Sequence, residues 1–345
     1  MKPRRVLITG GAGFIGSNLA NRLLSRGEEI VIFDNLSRAG CIVNIEWLRK
    51  TYGNDSFRLI KGDITDFEAL KSASENADII YHLAGQVAVT TSVKEPMNDF
   101  MDNALGTVNL LEAARQVGND PIVLFSSTNK VYGCLENITV AEEETRYRLS
   151  EFPSGIPETQ PLDFHSPYGC SKGAADQYIH DYARIYNMRT IVMRQSCIYG
   201  YRQFGIEDQG WIAWFIIAAV KGKPITIYGN GKQVRDVLFI DDLLDAYDAA
   251  IDNIGVTAGR VYNIGGGPYN TISIWKEFSP ILESLLNKKI TVNYDDWRPG
   301  DQAVYISDIT RASQEFGWSP KTSVQEGITC LVNWIKEHQQ LFDHL

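Results

Sequence analysis

The sequence predicts an α/β fold: a doubly wound parallel (Rossmann) sheet with a smaller mixed α/β C-terminal lobe. Three observations carry this expectation. First, the apolar run Val6-Leu7-Ile8-Thr9 ends in the glycine turn Gly10-Gly11-Ala12-Gly13-Phe14-Ile15-Gly16, and Ser17 to Leu24 then has helical apolar spacing. Second, strand-like and helical segments alternate through residue 195, which implies right-handed crossovers and a parallel sheet. Third, beyond Gly200 the periodicity loosens and no second phosphate motif occurs. Residues 1–195 are therefore expected to form a dinucleotide-binding domain, with a later contribution near 234–262. Residues 196–345 are expected to be mainly a substrate lobe.

The elements follow in order. The glycine turn satisfies both G-x-G-x-x-G and G-x-x-G-x-x-G, and a helix N-terminus behind it offers free N–H groups to a pyrophosphate. Glu29 to Phe33 reads as the second strand and ends at Asp34, 18 residues beyond Gly16. A carboxylate there suits an adenosine ribose and repels a 2′-phosphate, so NAD is favoured over NADP, with Arg38 the one nearby complication. Phe57 to Ile64 gives a third strand end, with Asp63 placed for the adenine amino group. Ala77 to Gly85 is a fourth, ending in small residues that let a flat cofactor lie close. Its His82 reads as a packed strand residue. Asn103 to Arg115 reads as a helix.

Pro121 to Phe125 is the fifth strand, and Ser126-Ser127-Thr128 brings hydroxyls to its carboxyl end, where open parallel sheets bind ligands. Residues 134–166 read as one long irregular loop, a functional cover or a mobile segment. Pro167 then opens a long helix with Ala174, Ala175, Tyr178, Ile179, Tyr182 and Ala183 at core-facing spacing. Tyr168 and Lys172 sit one turn apart on it. A phenol titrates near 10, and a neighbouring ammonium favours the phenolate, so this pair is an acid/base candidate. Thr190 to Arg194 is the sixth strand, and 223–229 and 260–265 read as strands in the second half.

Composition narrows the function classes. Of 345 residues 44% are apolar and 22% charged, ordinary for a globular protein. A net charge of −9 argues against general binding to nucleic acid or acidic membranes. Five scattered cysteines without C-x-x-C spacing argue against a zinc cluster and for a reducing compartment. No metal is expected. The apolar run Trp211 to Val220 is half a membrane span, and Met1 to Thr9 holds no secretory h-region, so a cytoplasmic location without membrane contact is expected.

Gly10-x-x-Gly13-x-x-Gly16, His82-Leu83-Ala84-Gly85, Ser126-Ser127-Thr128 and Tyr168-x-x-x-Lys172 together resemble the extended short-chain dehydrogenase/reductase family of nucleotide-sugar enzymes. So do Arg235-Asp236-Val237 and Arg298-Pro299-Gly300-Asp301, and the resemblance spans essentially the whole chain. Within that family, residues 126–133, 162–178 and 208–211 resemble the CDP-paratose 2-epimerase branch. The resemblance implies tightly bound NAD, recycled in each turnover, and a transient 2-keto sugar whose C2 is reduced again from its other face. Tyr168 would be the acid/base, Lys172 would lower its pKa and hold the nicotinamide ribose, and Thr128 would bond the same sugar hydroxyl.

For the cofactor, the resemblance adds Phe14, Ile15, Asn35, Ser37, Arg38, Ile64, Leu83, Ala84, Gln86, Asn103, Ser126 and Gln195 to Gly10, Gly13, Gly16, Asp34, Asp63, Tyr168 and Lys172. For the nucleotide-sugar it implies Gln86, Thr128, Arg202, Gln209, Gly210 and Trp211. Arg235 and Arg298 would contact the pyrophosphate, since arginine forks suit phosphate. A homo-oligomer, dimer or tetramer, is expected by the same analogy. Asn129-Lys130 stand where related dehydratases carry Asp-Glu, which disfavours water elimination. Cys197 stands where 4-epimerases often carry asparagine. The alternatives are a 4-epimerase of a UDP- or GDP-sugar and an inert NAD(H)-binding module.

Overall fold

The computed structural model describes residues 3–298 and 301–343; Met1-Lys2 and the Pro299-Gly300 centre of the late arginine segment lie outside the described residues. The chain divides into two compact units. One comprises Met1–Val131, Ser166–Arg194 and Tyr247–Val261, the other Tyr132–His165, Gln195–Ala246 and Tyr262–Leu345.

Seven strands make the central sheet, in the order Arg260–Ile264, Thr190–Gln195, Ile122–Thr128, Ile79–His82, Arg5–Thr9, Glu29–Asp34, Phe57–Lys61. Arg5–Thr9 pairs in parallel with Glu29–Asp34 on one side and Ile79–His82 on the other. The strand order therefore reverses about Arg5–Thr9, and ligands of open α/β sheets bind beyond the carboxyl ends at such a switch point. The strands are apolar nearly throughout because helices cover both faces. Leu7, Phe33, Ile80, Val123, Phe125 and Val192 meet Leu110, Leu111, Ala175 and Ile179 of the helices in one buried cluster.

Several expectations change. The fifth strand runs through Thr128, because Ser127 spends its hydroxyl on Asp176 Oδ2 at 2.7 Å instead of turning the chain. The helix expected from Asn103 begins as a π turn, Met101–Leu105, before Gly106–Gln116. Tyr178 is exposed, at 47%, since it lies about 100° round the helix from buried Ile179. The expected loop at 134–166 is irregular over most of its length and, through His165, belongs to the second unit. It holds an antiparallel pair, Val140–Glu142 with Tyr147–Leu149, and the Tyr147 amide donates to Lys232 O at 3.0 Å. The strand expected at 223–229 is Thr226–Tyr228, paired with Asn293–Asp295. No described helix is long and apolar enough to cross a membrane.

Candidate active site

At the switch point the glycine turn joins the end of Arg5–Thr9 to the helix Phe14–Ser25. Gly10 has φ +68°, and a Cβ there would lie 2.7 Å from the Ala84 amide, so only glycine lets the two strand ends approach. Leu83 N donates to Thr9 O at 3.1 Å, closing the same junction. A Cβ at Gly16 would run into Gly10 O. Gly13 caps the helix without a side-chain acceptor, which leaves the first-turn amides of Phe14, Ile15 and Gly16 for a ligand.

Asp34 ends its strand buried. Its two oxygens accept from the amides of Ala12 (3.0 Å) and Leu36 (2.8 Å). Burial pushes its pKa up against those amides and the Arg38 charge. Arg38 is exposed, and its charge faces Cys41, Asp34 and Tyr168. Asn35 donates to Asp63 at 3.1 Å and accepts from Ser37 N at 3.0 Å, so the two strand ends brace each other. Burial pushes the Asp63 carboxyl up, but Thr65 and Asn35 outweigh it and hold the pKa below the ordinary value. Ile64 is buried beneath this corner, and Leu83 and Ala84 are half-buried. His82 is fully buried between Thr9 (2.8 Å) and Thr107 (3.0 Å), and burial lowers its pKa to about 3, so it is a neutral structural residue.

The helix Ser166–Tyr186 presents Tyr168, Ser171, Lys172, Ala175, Asp176 and Ile179 on its buried face. The Thr128 hydroxyl donates to Asn129 Oδ1 at 3.4 Å and lies near enough to the Tyr168 phenol to favour its ionised form. Lys172 Nζ donates to Ser126 O at 2.7 Å and lies 4.2 Å from the centre of the Phe125 ring. The expected lowering of the phenol pKa is not what the side chains produce. Burial pushes Tyr168 up to about 12, against the Thr128 hydroxyl and the Arg38 charge. Burial also brings Lys172 down to about 7, against the fields of Asp176 and Asp99. The ammonium is turned to a carbonyl, and burial dominates both groups.

Gln86 and Asn103 are committed to a polar network below this helix. Gln86 Nε2 donates to Ala88 O (2.7 Å) and Asp99 (3.1 Å), and its Oε1 accepts from Ala88 N. Asn103 donates to Asp99 and Ser171, while its Oδ1 is buried without a partner and faces Gly85. Gln195 is buried at its strand end.

In the second unit Arg235, 5% exposed, donates to Asp301 at 2.6 Å. Arg298 pairs with Asp208 at 3.0 Å and lies 4.0 Å over the Tyr228 ring. Arg202 is buried with φ +64°, 5.6 Å from the Trp334 ring, and burial lowers its pKa to about 10. Gln209 and Ile206 exchange backbone hydrogen bonds of 2.9 and 3.0 Å before Gly210, which caps the helix Trp211–Lys221. Trp211 packs against Phe215 and Phe278, and its indole N–H is buried without an acceptor.

Asp99, Ser171, Asp176, Arg194 and Asp301 are not among the residues to which the sequence assigns a site role, yet they hold the site residues in place. Ser171 and Asp176 carried a signal, since both are polar at core-facing positions of the Tyr168 helix. The glycine cradle, the free first-turn amides, buried Asp34 and the unpaired Asn103 Oδ1 together fit a dinucleotide. Among the described residues no three His, Cys, Asp or Glu side chains group to hold a metal ion.

Known proteins bear on this geometry. Residues 7–331 match the family model described as GDP-mannose 4,6 dehydratase. The chain is 46% identical over 337 residues to the CDP-paratose 2-epimerase of Salmonella typhi, covering 96% of this chain and 98% of that protein. It superposes on the UDP-glucuronic acid 4-epimerase of Bacillus cereus in complex with UDP-glucuronic acid and NAD, with a TM-score of 0.82 and 29% identity over 96% of this chain and 99% of that one. It superposes equally on the dTDP-glucose 4,6-dehydratase of Streptomyces venezuelae with NAD bound, with a TM-score of 0.83 and 27% identity over 98% and 99% of the two chains.

Proposed function

Since the chain belongs to the GDP-mannose 4,6-dehydratase family of extended short-chain dehydrogenases/reductases, we propose that it is an NAD-dependent nucleotide-sugar epimerase converting CDP-paratose to CDP-tyvelose at C2. The observation that carries this reading is the buried Tyr168–Lys172 turn, pinned by the Lys172 bond to Ser126 O against the strand that ends at Thr128, on the same unit as the glycine cradle.

The residues take the following roles. The first-turn amides of Phe14 to Gly16 hold the pyrophosphate, and Asp34 accepts from the adenosine ribose. Lys172 and Tyr168 hold the nicotinamide ribose. NAD, when bound, supplies a hydride acceptor that is restored within the same turnover, and its positive ring favours the phenolate. Tyr168 takes the proton of the C2 hydroxyl as the 2-keto sugar forms and returns it after the other face is reduced. Thr128 orients that hydroxyl. Asn129 and Lys130 leave no carboxyl pair next to Thr128 for eliminating water, so the chain stops at epimerisation. In the second unit Arg235 and Arg298 hold the diphosphate. The enzyme works as a cytoplasmic homo-oligomer.

Incubating the purified protein with CDP-paratose and, separately, with UDP-glucose, and reading products by NMR, tests the assignment. Inversion at C2 of the CDP-sugar is expected. Turnover of UDP-glucose alone would replace the reading by a 4-epimerase. Tyr168→Phe should lower kcat by about 10²–10⁴ with the fold retained. Loss of nothing in that variant would leave an inert NAD-binding module.

A further inference from the structure

A buried carboxylate that the chemistry above does not use lies beneath the Tyr168 helix. Asp99, in the short helix Pro96–Phe100, is 1% exposed. One of its oxygens accepts from the Ser171 hydroxyl, and the other accepts from Gln86 Nε2 at 3.1 Å and Asn103 Nδ2 at 3.2 Å. Asn103 also donates to Ser171 Oγ at 3.0 Å, closing a ring of three residues. Ser171 stands between Tyr168 and Lys172 in the first turns of their helix and is 4% exposed. All three donors to Asp99 are neutral. An ionised carboxyl buried among neutral donors is expensive unless a cation balances it nearby.

The charges around it identify that cation. Lys172 is faced by Asp176 from its own helix, by Asp99 from Pro96–Phe100 and by His82 from its strand. His82 is neutral. Asp176 has its own partner, Arg194, at 2.8 Å. Asp102 faces Asp99, and Arg38 faces Tyr168. Asp99 is thus the carboxylate facing Lys172 that no arginine neutralises.

We propose that Asp99 is a positioning residue: through Ser171 it locks the turn carrying Tyr168 and Lys172, and its charge keeps Lys172 in the cationic form that holds the nicotinamide ribose. This rests on the epimerase reading for its role in turnover.

The test is a pair of pH profiles for wild type, Asp99→Asn and Ser171→Ala: kcat on CDP-paratose, and NAD affinity measured without sugar. Burial has already brought the lysine to about 7, so its charge is lost as pH rises through the neutral range. Removing a facing negative charge lowers that pKa further, and the alkaline limb of both profiles should move down by about one pH unit in Asp99→Asn. Burial pushes the Asp99 carboxyl up against the Ser171 hydrogen bond and the Lys172 charge, so Ser171→Ala, which removes the first of those two, should move the limb the same way by less. A uniform loss at every pH with the limb in place overturns the proposal. If Asp99→Asn does not fold, an unmoved limb in Ser171→Ala overturns it equally. Wild type that binds NAD but leaves CDP-paratose unchanged refutes the epimerase reading, while the affinity profile still decides the role of Asp99.

Discussion

Lys172 Nζ donates to the backbone carbonyl of Ser126 at 2.7 Å, pinning the Ser166–Tyr186 helix to the end of the Ile122–Thr128 strand. The bond fixes where the ammonium sits relative to Thr128, two residues further on. Lys172→Met keeps the length and apolar stem but removes donor and charge. We expect kcat to fall by about 10²-fold or more, with weaker NAD binding and a cooperative unfolding transition retained, as read by steady-state kinetics, calorimetric titration and thermal melts.

Asp34 accepts from two backbone amides and is the proposed acceptor for the adenosine ribose. In Asp34→Ala, NAD affinity should drop by about 10-fold or more, since hydrogen bonds to a charged group contribute about 1.5–3 kcal/mol each. Discrimination against NADP should shrink as well, because Arg38 then faces the pocket without its carboxylate. Competitive titration of the two cofactors checks both.

Asp176 and Arg194 form a buried ion pair, with side chains 0% and 4% exposed. Breaking it in Asp176→Ala strands a guanidinium and the Ser127 hydroxyl, which should destabilise the protein by about 3–5 kcal/mol. Denaturant unfolding of the holoenzyme measures this, and a loss below about 1 kcal/mol would count against the pair's role.

Asp102 titrates at about 6, raised first by burial and then by the charges of Asp63 and Asp99. A carboxyl whose folded pKa is raised contributes stability below its unfolded value near 4, and that contribution is lost as pH rises through about 6. Asp102→Asn should therefore melt higher than wild type at pH 7–8, with the gap closing below about pH 4. After screening, a gain of about 1 kcal/mol is expected.

Arg235 is buried and oriented by Asp301. Arg235→Lys trades a planar fork for a point charge, so KM for the nucleotide-sugar should rise by about 10-fold or more while NAD affinity holds. A fall in NAD affinity instead would move Arg235 out of the sugar-nucleotide site.

The turn Gly10 to Gly16, the strand alternation through residue 195 and the Tyr168/Lys172 spacing were legible in the chain because each is local: glycine chemistry, period and one helical turn express themselves within a few residues. Tertiary structure decided the rest. It set a short hairpin, residues 140–149, within the otherwise irregular 134–165 segment and tied it to the second unit through the Tyr147–Lys232 backbone bond. It set the phenol at about 12 and the lysine at about 7, since burial and the facing carboxylates come from other elements. It also put Asp99 under Ser171, 72 residues away, and Asp176 under Ser127, 49 residues away. Sequence spacing tells which residues share a face; only packing brings a distant carboxylate up to that face and excludes the water that would screen it.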